Sequence, residues 1–142
     1  MFRGNHPTRV DEKGRLKIPA DFKRVVDERY GSQFFITSLD GERAQVWPMP
    51  EWQKIEDEVV NKPPSVAKKK WLDRTSYYGQ VAEMDAQGRV LIPQVLREAA
   101  KTIGDVTVLG KLTYLEVTNM PQFVAKLESE PWSDEDAISL GV

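Results

Sequence analysis

Two arginines, Arg15 and Arg89, occupy the same place in a nine-residue pattern that the chain contains twice. The copies, Asp11–Pro19 and Asp85–Pro93, share Asp, Gly, Arg, Ile and Pro in register. Such a match within 142 residues indicates an internal duplication. A guanidinium group carries five N–H donors in a planar fork, which can grip a phosphate or the O6 and N7 edge of guanine. The two arginines are therefore the leading candidates for contacting DNA.

A simpler role for each arginine is an ion pair with the aspartate four residues earlier, Asp11 or Asp85, that only stiffens the turn. An exposed ion pair stabilises a protein by about 0–1 kcal/mol, which hardly requires two matched copies. The two roles can coexist, because the aspartate would then orient the arginine.

The rest of the pattern predicts a hairpin tip followed by a helix. The aspartate can bond the backbone ahead of it, and Gly14 and Gly88 can adopt the positive φ that the turn needs. Pro19 and Pro93 suit the first position of a helix. Apolar residues then recur at helical spacing, namely Phe22, Val25 and Val26 in one copy and Leu96, Ala99, Ala100 and Ile103 in the other.

Four further cations surround the first tip: Arg3, Arg9, Lys13 and Lys17. They could position phosphates without reading sequence, or they could simply form a solvated basic face. In the second copy Gln87 replaces Lys13 and Leu91 replaces Lys17. We therefore expect the first tip to contribute more affinity than the second.

The distribution of charge is more informative than its total. The formal net charge of -2 and a pI near 5.5 argue mildly against nucleic-acid binding. Residues 1–26, however, contain seven Lys and Arg against three Asp and Glu, whereas the chain from Glu128 onward has five acidic residues and no Lys or Arg. We expect the tail after Pro131 to be mobile, with Trp132, Ile138 and Leu140 as its anchors.

Several classes of function find no support in the sequence. The absence of cysteine excludes disulfides, cysteine ligands and cysteine nucleophiles, and His6 is the only histidine. No acidic pair, phosphate-binding loop or other enzyme signature is present, and no cofactor, metal or small-molecule ligand is evident. No apolar segment resembles a signal peptide or a membrane span, so we expect a cytoplasmic protein. The tryptophans and tyrosines are more typical of a core or an interface than of a base-stacking platform.

The duplication predicts four segments. The two repeats are residues 5–52 and 80–123, a helical linker spans residues 53–79, and residues 124–142 hold the end of a helix and the acidic tail. Since the offset between the copies falls from 74 residues at the turns to 71 at the Met-Pro pairs, three residues are expected to be missing from one loop. Two separate cores of this size would be marginal, so a shared core is expected.

The sequence resembles the MraZ family of bacterial transcriptional regulators, which are built from two tandem SpoVT-AbrB-type repeats. The resemblance rests on the opening Met-Phe-Arg-Gly, the paired Asp-x-x-Gly-Arg turns, the Ile-Pro after each turn and the Pro-Met-Pro-Glu-Trp segment. It implies an α+β fold in which the two repeats interlock as a pseudo-twofold swapped-hairpin β-barrel with flanking helices. The DNA-contacting arginines of the family fall on Arg15 and Arg89.

The resemblance also implies a ring-shaped homo-oligomer associated with the nucleoid. Such a ring would bind double-stranded DNA at tandem promoter repeats of the division and cell-wall gene cluster, including its own promoter. The alternative is an assembly protein that binds no DNA and buries Arg15 and Arg89 in subunit contacts. Salt would separate the two, because binding to DNA through Lys and Arg weakens steeply as salt rises, whereas apolar assembly does not.

Overall fold

A computed structural model describes all 142 residues, which form eight strands and six helices. The first half contains β1 (Asn5–Val10), β2 (Arg15–Lys17), α1 (Ala20–Arg29), β3 (Gln33–Thr37), β4 (Ala44–Pro48) and α2 (Met49–Val60). Helix α3 (Val66–Tyr77) follows it. The second half contains β5 (Gln80–Glu83), β6 (Arg89–Leu91), α4 (Gln94–Ala100), β7 (Gly104–Gly110), β8 (Leu115–Asn119) and α5 (Met120–Ser129), and α6 (Asp134–Leu140) comes last.

The strands form one antiparallel sheet in the order β5-β3-β4-β8-β7-β1-β2-β6. The turn between β5 and β6 joins the two ends of this order, where the Asp85 N–H donates to the Arg89 carbonyl, so the sheet is a nearly closed barrel. The halves exchange hairpins, since β1 pairs with β7 of the second half and β5 pairs with β3 of the first. The predicted α+β class and swapped-hairpin barrel are confirmed.

One apolar core fills the barrel and draws on both halves. Leu16 and Ile92 are fully buried in it, together with Phe2, whose ring meets that of Phe22 edge to face at 5.5 Å. The backbone of Phe2 also pairs with Leu112, so the start of the chain is fixed against the second half. Sharing the core gives each half the buried surface that it would lack alone.

The helices that follow the hairpins begin one residue later than the sequence indicated. Pro19 and Pro93 have ψ near 140° and act as N-caps, and their carbonyls accept the first helical N–H groups. Leu96 faces the core as expected. The inclusion of Ile103 in the apolar face was wrong, because Lys101 adopts a left-handed conformation that ends α4 and leaves Ile103 61% exposed.

The second half is three residues shorter than the first, but at two places rather than in one loop. The offset is 74 residues at the turns, 72 where Asp105 corresponds to Gln33, and 71 where Thr118 corresponds to Trp47. Two residues are thus missing between Pro93 and β7, and α4 has seven residues where α1 has ten. The third is missing from the turn between β7 and β8.

The acidic tail contains a short helix, α6, which the sequence did not indicate and of which no residue is buried, so the mobility of the tail stays a prediction. Ser133 and Asp136 form a reciprocal capping box at the start of α6, and Gly141 ends the helix with φ of 82°. The capping pair satisfies two backbone donors that would otherwise lack partners, which favours the helix over a coil. The apolar residues of the tail are not anchors, since Trp132, Ile138 and Leu140 are 67%, 80% and 67% exposed.

Candidate nucleic-acid interface

The two hairpin turns have the same hydrogen-bond geometry. In the first, Asp11 Oδ1 accepts the backbone N–H groups of Lys13 at 3.0 Å and Arg15 at 2.9 Å. In the second, Asp85 Oδ1 accepts those of Gln87 and Arg89, both at 2.9 Å. The side chain of the aspartate therefore organises each turn, as the sequence predicted.

Each aspartate also holds its arginine. Arg15 Nε donates to Asp11 Oδ2 at 2.7 Å, and Arg89 Nε donates to Asp85 Oδ2 at 2.9 Å. The ion pair anticipated from the sequence is therefore present in both turns. Because only Nε is engaged, the two Nη groups of each guanidinium have no partner in the chain and remain available to a ligand.

The aspartates are ionised throughout the neutral range. The backbone N–H of Arg15 lowers the pKa of Asp11, and the guanidinium of Arg15 lowers it further. Arg89 lowers the pKa of Asp85 in the same way, through its backbone N–H first. Both arginines thus have a charged partner to fix their orientation.

The pairing of β2 with β6 brings the two arginines together. Leu16 lies opposite Val90, and both point into the core, so the alternate residues of the two strands face outward. We call this outward surface the ribbon face; it consists of Arg15, Lys17, Arg89 and Leu91. The arginines occupy diagonal positions of an antiparallel pair, whose side chains start about 7–8 Å apart. They form one surface rather than two separate sites.

Backbone hydrogen bonds at the two ends of the β2–β6 pair fix each turn to the neighbouring strand. The Ile18 N–H donates to the Gly88 carbonyl at 2.8 Å, and the Ile92 N–H donates to the Gly14 carbonyl at 3.0 Å. Gly14 has φ of 85° and Gly88 has φ of 78°, a backbone conformation that residues with a side chain resist. The tips are therefore positioned by backbone bonds on both sides.

Two cations that the sequence reasoning did not include among the site residues cover the turn glycines. Arg97 of α4 lies directly over Gly14, and Lys23 of α1 lies over Gly88. Both stand four residues after the proline that precedes their helix, so the alignment of the two copies could have identified them. Each tip is thus flanked by a cation from the opposite half.

The remaining candidates are less closely grouped. Lys13 is exposed within the first turn, whereas Arg9 forms an ion pair with Asp105 of β7 at 3.2 Å. Arg3 precedes β1 and lies beside Gly110, at the far end of the strand from the turn. His6 packs on the ring of Phe22 at 4.5 Å. The structure therefore gathers Lys13, Arg15, Lys17 and Arg89 and separates Arg3 from them.

No three side chains of His, Asp or Glu are grouped in a way that could hold a metal ion. None of the six helices combines the length and apolar character that a membrane crossing requires.

The fold and this surface define a class of protein: a tandem swapped-hairpin barrel that carries two equivalent, aspartate-oriented arginines on one outer ribbon. The chain belongs to the MraZ family, whose model, described as "MraZ protein, putative antitoxin-like", matches residues 1–75 and 80–139. The predicted family is confirmed.

Relatives of similar length match almost the whole chain. The Transcriptional regulator MraZ of Acidobacterium capsulatum is 60% identical over 141 residues, which cover 99% of this chain and 97% of the relative. The protein of the same name from Koribacter versatilis is 49% identical over 142 residues, with the same coverage of both chains. That of Syntrophobacter fumaroxidans is 35% identical over 131 residues, covering 89% and 85%.

Proposed function

We propose that this protein is a transcriptional regulator that binds double-stranded DNA sequence-specifically through the ribbon face and the two turns. The shared name of its full-length relatives supports the regulatory role. One observation supports this mode of binding. Aspartates hold the two arginines on one outward surface and leave the Nη groups of both arginines free. Such a preoriented fork costs little conformational entropy when it meets a ligand.

The chemistry of the surface divides into two roles. Arg15 and Arg89 present paired donors that match the O6 and N7 edge of guanine, and they would read bases. Lys13, Lys17 and Arg9 are exposed ammonium and guanidinium groups that would contact phosphates and set the register. Arg3 would join them only where the DNA extends along the whole of β1.

We infer that several copies act together as a ring on the tandem promoter repeats of the division and cell-wall gene cluster, including the protein's own promoter. Each subunit would contribute one tip from repeat 5–52 and one from repeat 80–123. Exposed apolar residues on α2, α3 and α5 support assembly, among them Val60, Val66 and Leu127 at 69%, 80% and 57% exposure. Multiple tips raise the effective concentration at neighbouring repeats, which lets a net-negative protein bind DNA at the nucleoid.

The test is titration of the purified protein with its own upstream DNA, either intact or with the repeats scrambled, at low and moderate salt. Arg15→Ala and Arg89→Ala should each weaken binding to intact DNA by about tenfold or more without changing the oligomer size. Arg24→Ala is the matched control, because Arg24 is exposed on α1 and only approaches Asp21. Wild-type binding by both tip variants, or equal binding to the two DNAs, would instead favour the assembly protein.

A further inference from the structure

The last segment of the chain, residues 131–142, forms a helix that packs on no other part of the chain. A capping box at Ser133 and a left-handed Gly141 define the two ends of α6, and none of its residues is buried. A helix of seven residues is unstable by itself in water, even when both ends are capped. The sequence therefore encodes a helix whose stabilising contacts this chain does not supply. We call residues 131–142 the tail segment.

The tail segment combines negative charge with exposed apolar side chains. Three acidic residues form the first turn of α6, with Trp132 before them and Ile138 and Leu140 after them. From Glu128 onward the chain has five acidic residues and no Lys or Arg, and none of the five forms an ion pair. A surface that accommodates this segment must be apolar and basic.

A groove of this character runs along α3, in the first half. It consists of two adjoining depressions of about 540 and 460 Å³, which share Lys70 and Arg74 as lining residues. We call this surface the α3 groove. The first depression is otherwise lined by Leu39, Asp40, Ala67 and Trp71, and the second by Asp73, Tyr77 and Tyr78.

The α3 groove has two cations that no carboxylate neutralises. Its own carboxylates are engaged by cations outside the groove, Asp40 at 2.9 Å and Asp73 at 2.6 Å. Lys70 forms no ion pair, and Arg74 donates only from Nη1 to the Leu39 carbonyl at 3.0 Å. Both cationic side chains are exposed. The groove can therefore attract an acidic segment.

The tail segment and the groove match in the order of their groups and in length. Apolar side chains lie at both ends of the groove, and the two shared cations lie between them. The tail segment has the same order, with acidic residues in place of the cations. At a rise of about 1.5 Å per residue, residues 67–77 of α3 span about 15 Å, and residues 132–140 span at least about 12 Å. Such complementarity selects a partner and fixes its register.

We propose that the tail segment of one copy of this protein docks into the α3 groove of the next copy. This inference rests on the ring proposed above and supplies one of its contacts. Helix α6 follows α5 in the second half as α3 follows α2 in the first, so the two helices belong to different halves of the barrel. A contact between two unlike surfaces is heterologous, and it continues from copy to copy until the ring closes.

The test is sedimentation equilibrium of the full-length protein without DNA. Ile138→Ser with Leu140→Ser in the tail segment, and Lys70→Glu in the groove, should each raise the dissociation constant between copies by about tenfold or more. The controls are Ile103→Ser and Lys13→Glu, which change exposed residues of the same types outside both surfaces and should associate like wild type. None of the altered side chains is buried, so each variant should fold.

An exchange of charges separates docking from a general effect of charge on association. Glu135→Lys should weaken association as Lys70→Glu does, because each removes one side of the attraction. The protein with both changes should return to within about threefold of wild type, since opposite charges then face each other again. A purely structural role of either residue gives no such recovery.

Three results would overturn the docking. They are association like that of wild type in the tail and groove variants, no recovery in the protein with exchanged charges, and tail variants that bind upstream DNA more tightly at unchanged oligomer size. The last result would place the acidic tail on the ribbon face instead. A monomeric wild-type protein would contradict the ring itself, and the docking with it. None of these results bears on the reading of DNA by Arg15 and Arg89.

Discussion

The two halves of this protein agree at their turns and differ on their outer faces. In both turns the aspartate accepts the same three hydrogen bonds, two of them from the arginine, and the Nε–Oδ2 distances in the two turns differ by 0.2 Å. Behind them, the first half has a cluster of aromatic rings around Trp47 and Trp52. At the corresponding place in the second half is a cavity of about 380 Å³, whose lining includes Thr118, Phe123, Lys101, Lys126 and, from the first half, Glu42 and Arg43. The difference indicates that the duplication kept the geometry of the arginines in both copies, while the outer packing was free to diverge.

The aromatic cluster should make the first half far more sensitive to truncation than the second. Trp52 is 4% exposed and contacts the rings of Phe35, Trp47 and Trp71, so Trp52→Ala should lower the free energy of unfolding by about 3–5 kcal/mol. Phe123→Ala should cost less than about 2 kcal/mol, because Phe123 borders a cavity. Urea unfolding followed by circular dichroism measures both.

Trp52→Phe is the control, since phenylalanine is the residue of the second half and the indole N–H of Trp52 is buried without a partner. We expect a much smaller loss than for Trp52→Ala. Equal losses for Trp52→Ala and Phe123→Ala would mean that the two outer faces support the barrel equally.

The difference in charge between the tips should appear in how steeply DNA binding weakens as the salt concentration rises. The double variant Lys13→Gln with Lys17→Leu gives the first tip the residues of the second. It should reduce the salt slope, which is the steepness of log K for DNA binding plotted against the logarithm of the salt concentration, by about 2. Gln87→Lys with Leu91→Lys should raise it by a similar amount, because Leu91 is half exposed on the ribbon face. Filter binding of upstream DNA across a salt series measures the slope. Identical slopes for the two double variants would show that the lysines do not contact phosphate.

The turn glycines should tolerate alanine poorly, and the first less well than the second. The positive φ alone costs alanine about 1 kcal/mol, as Gly31→Ala should show, because nothing lies within 4 Å of a Cβ there. Gly14→Ala must also displace Arg97, whereas at Gly88 the nearest atom of Lys23 is 3.1 Å away. Thermal unfolding should rank the losses with Gly14→Ala largest. A loss at Gly14 no greater than at Gly31 would show that Arg97 moves freely.

The smallest effect should be the response of the turns to acid. Because their backbone partners lower the pKa of Asp11 and Asp85, each contributes stability above the unfolded pKa of about 3.9, which is lost as the pH falls through the folded value. Asp11→Asn and Asp85→Asn should reduce that acid-induced loss to the same extent in urea unfolding at a series of pH values. Unequal changes would show that the difference in charge between the tips also acts on the two aspartates.

Much of the arginine surface could be predicted from the sequence, because it depends on local rules. An aspartate, a glycine and an arginine at fixed spacing determine a turn by bonds within five residues, and the structure shows those bonds. The position of Arg97 over Gly14 depends on the exchange of hairpins between the halves, and the periodicity of the sequence alone does not predict that exchange. The cavity arises from a difference between copies, a threonine in place of Trp47 and a shortened helix, and it could be seen only once the register of the strands was known.

The proposal that Arg15 and Arg89 read the DNA sequence is tested most directly by the double variant Arg15→Lys with Arg89→Lys. Lysine keeps the charge of each tip and removes the planar pair of donors. The measurement is the ratio of affinities for intact and scrambled upstream DNA, at one moderate salt concentration, in wild type and double variant of the same oligomer size. We expect the ratio to fall by about tenfold or more with little change in the salt slope. A ratio equal to that of wild type would contradict the assignment of Arg15 and Arg89 as the residues that read DNA.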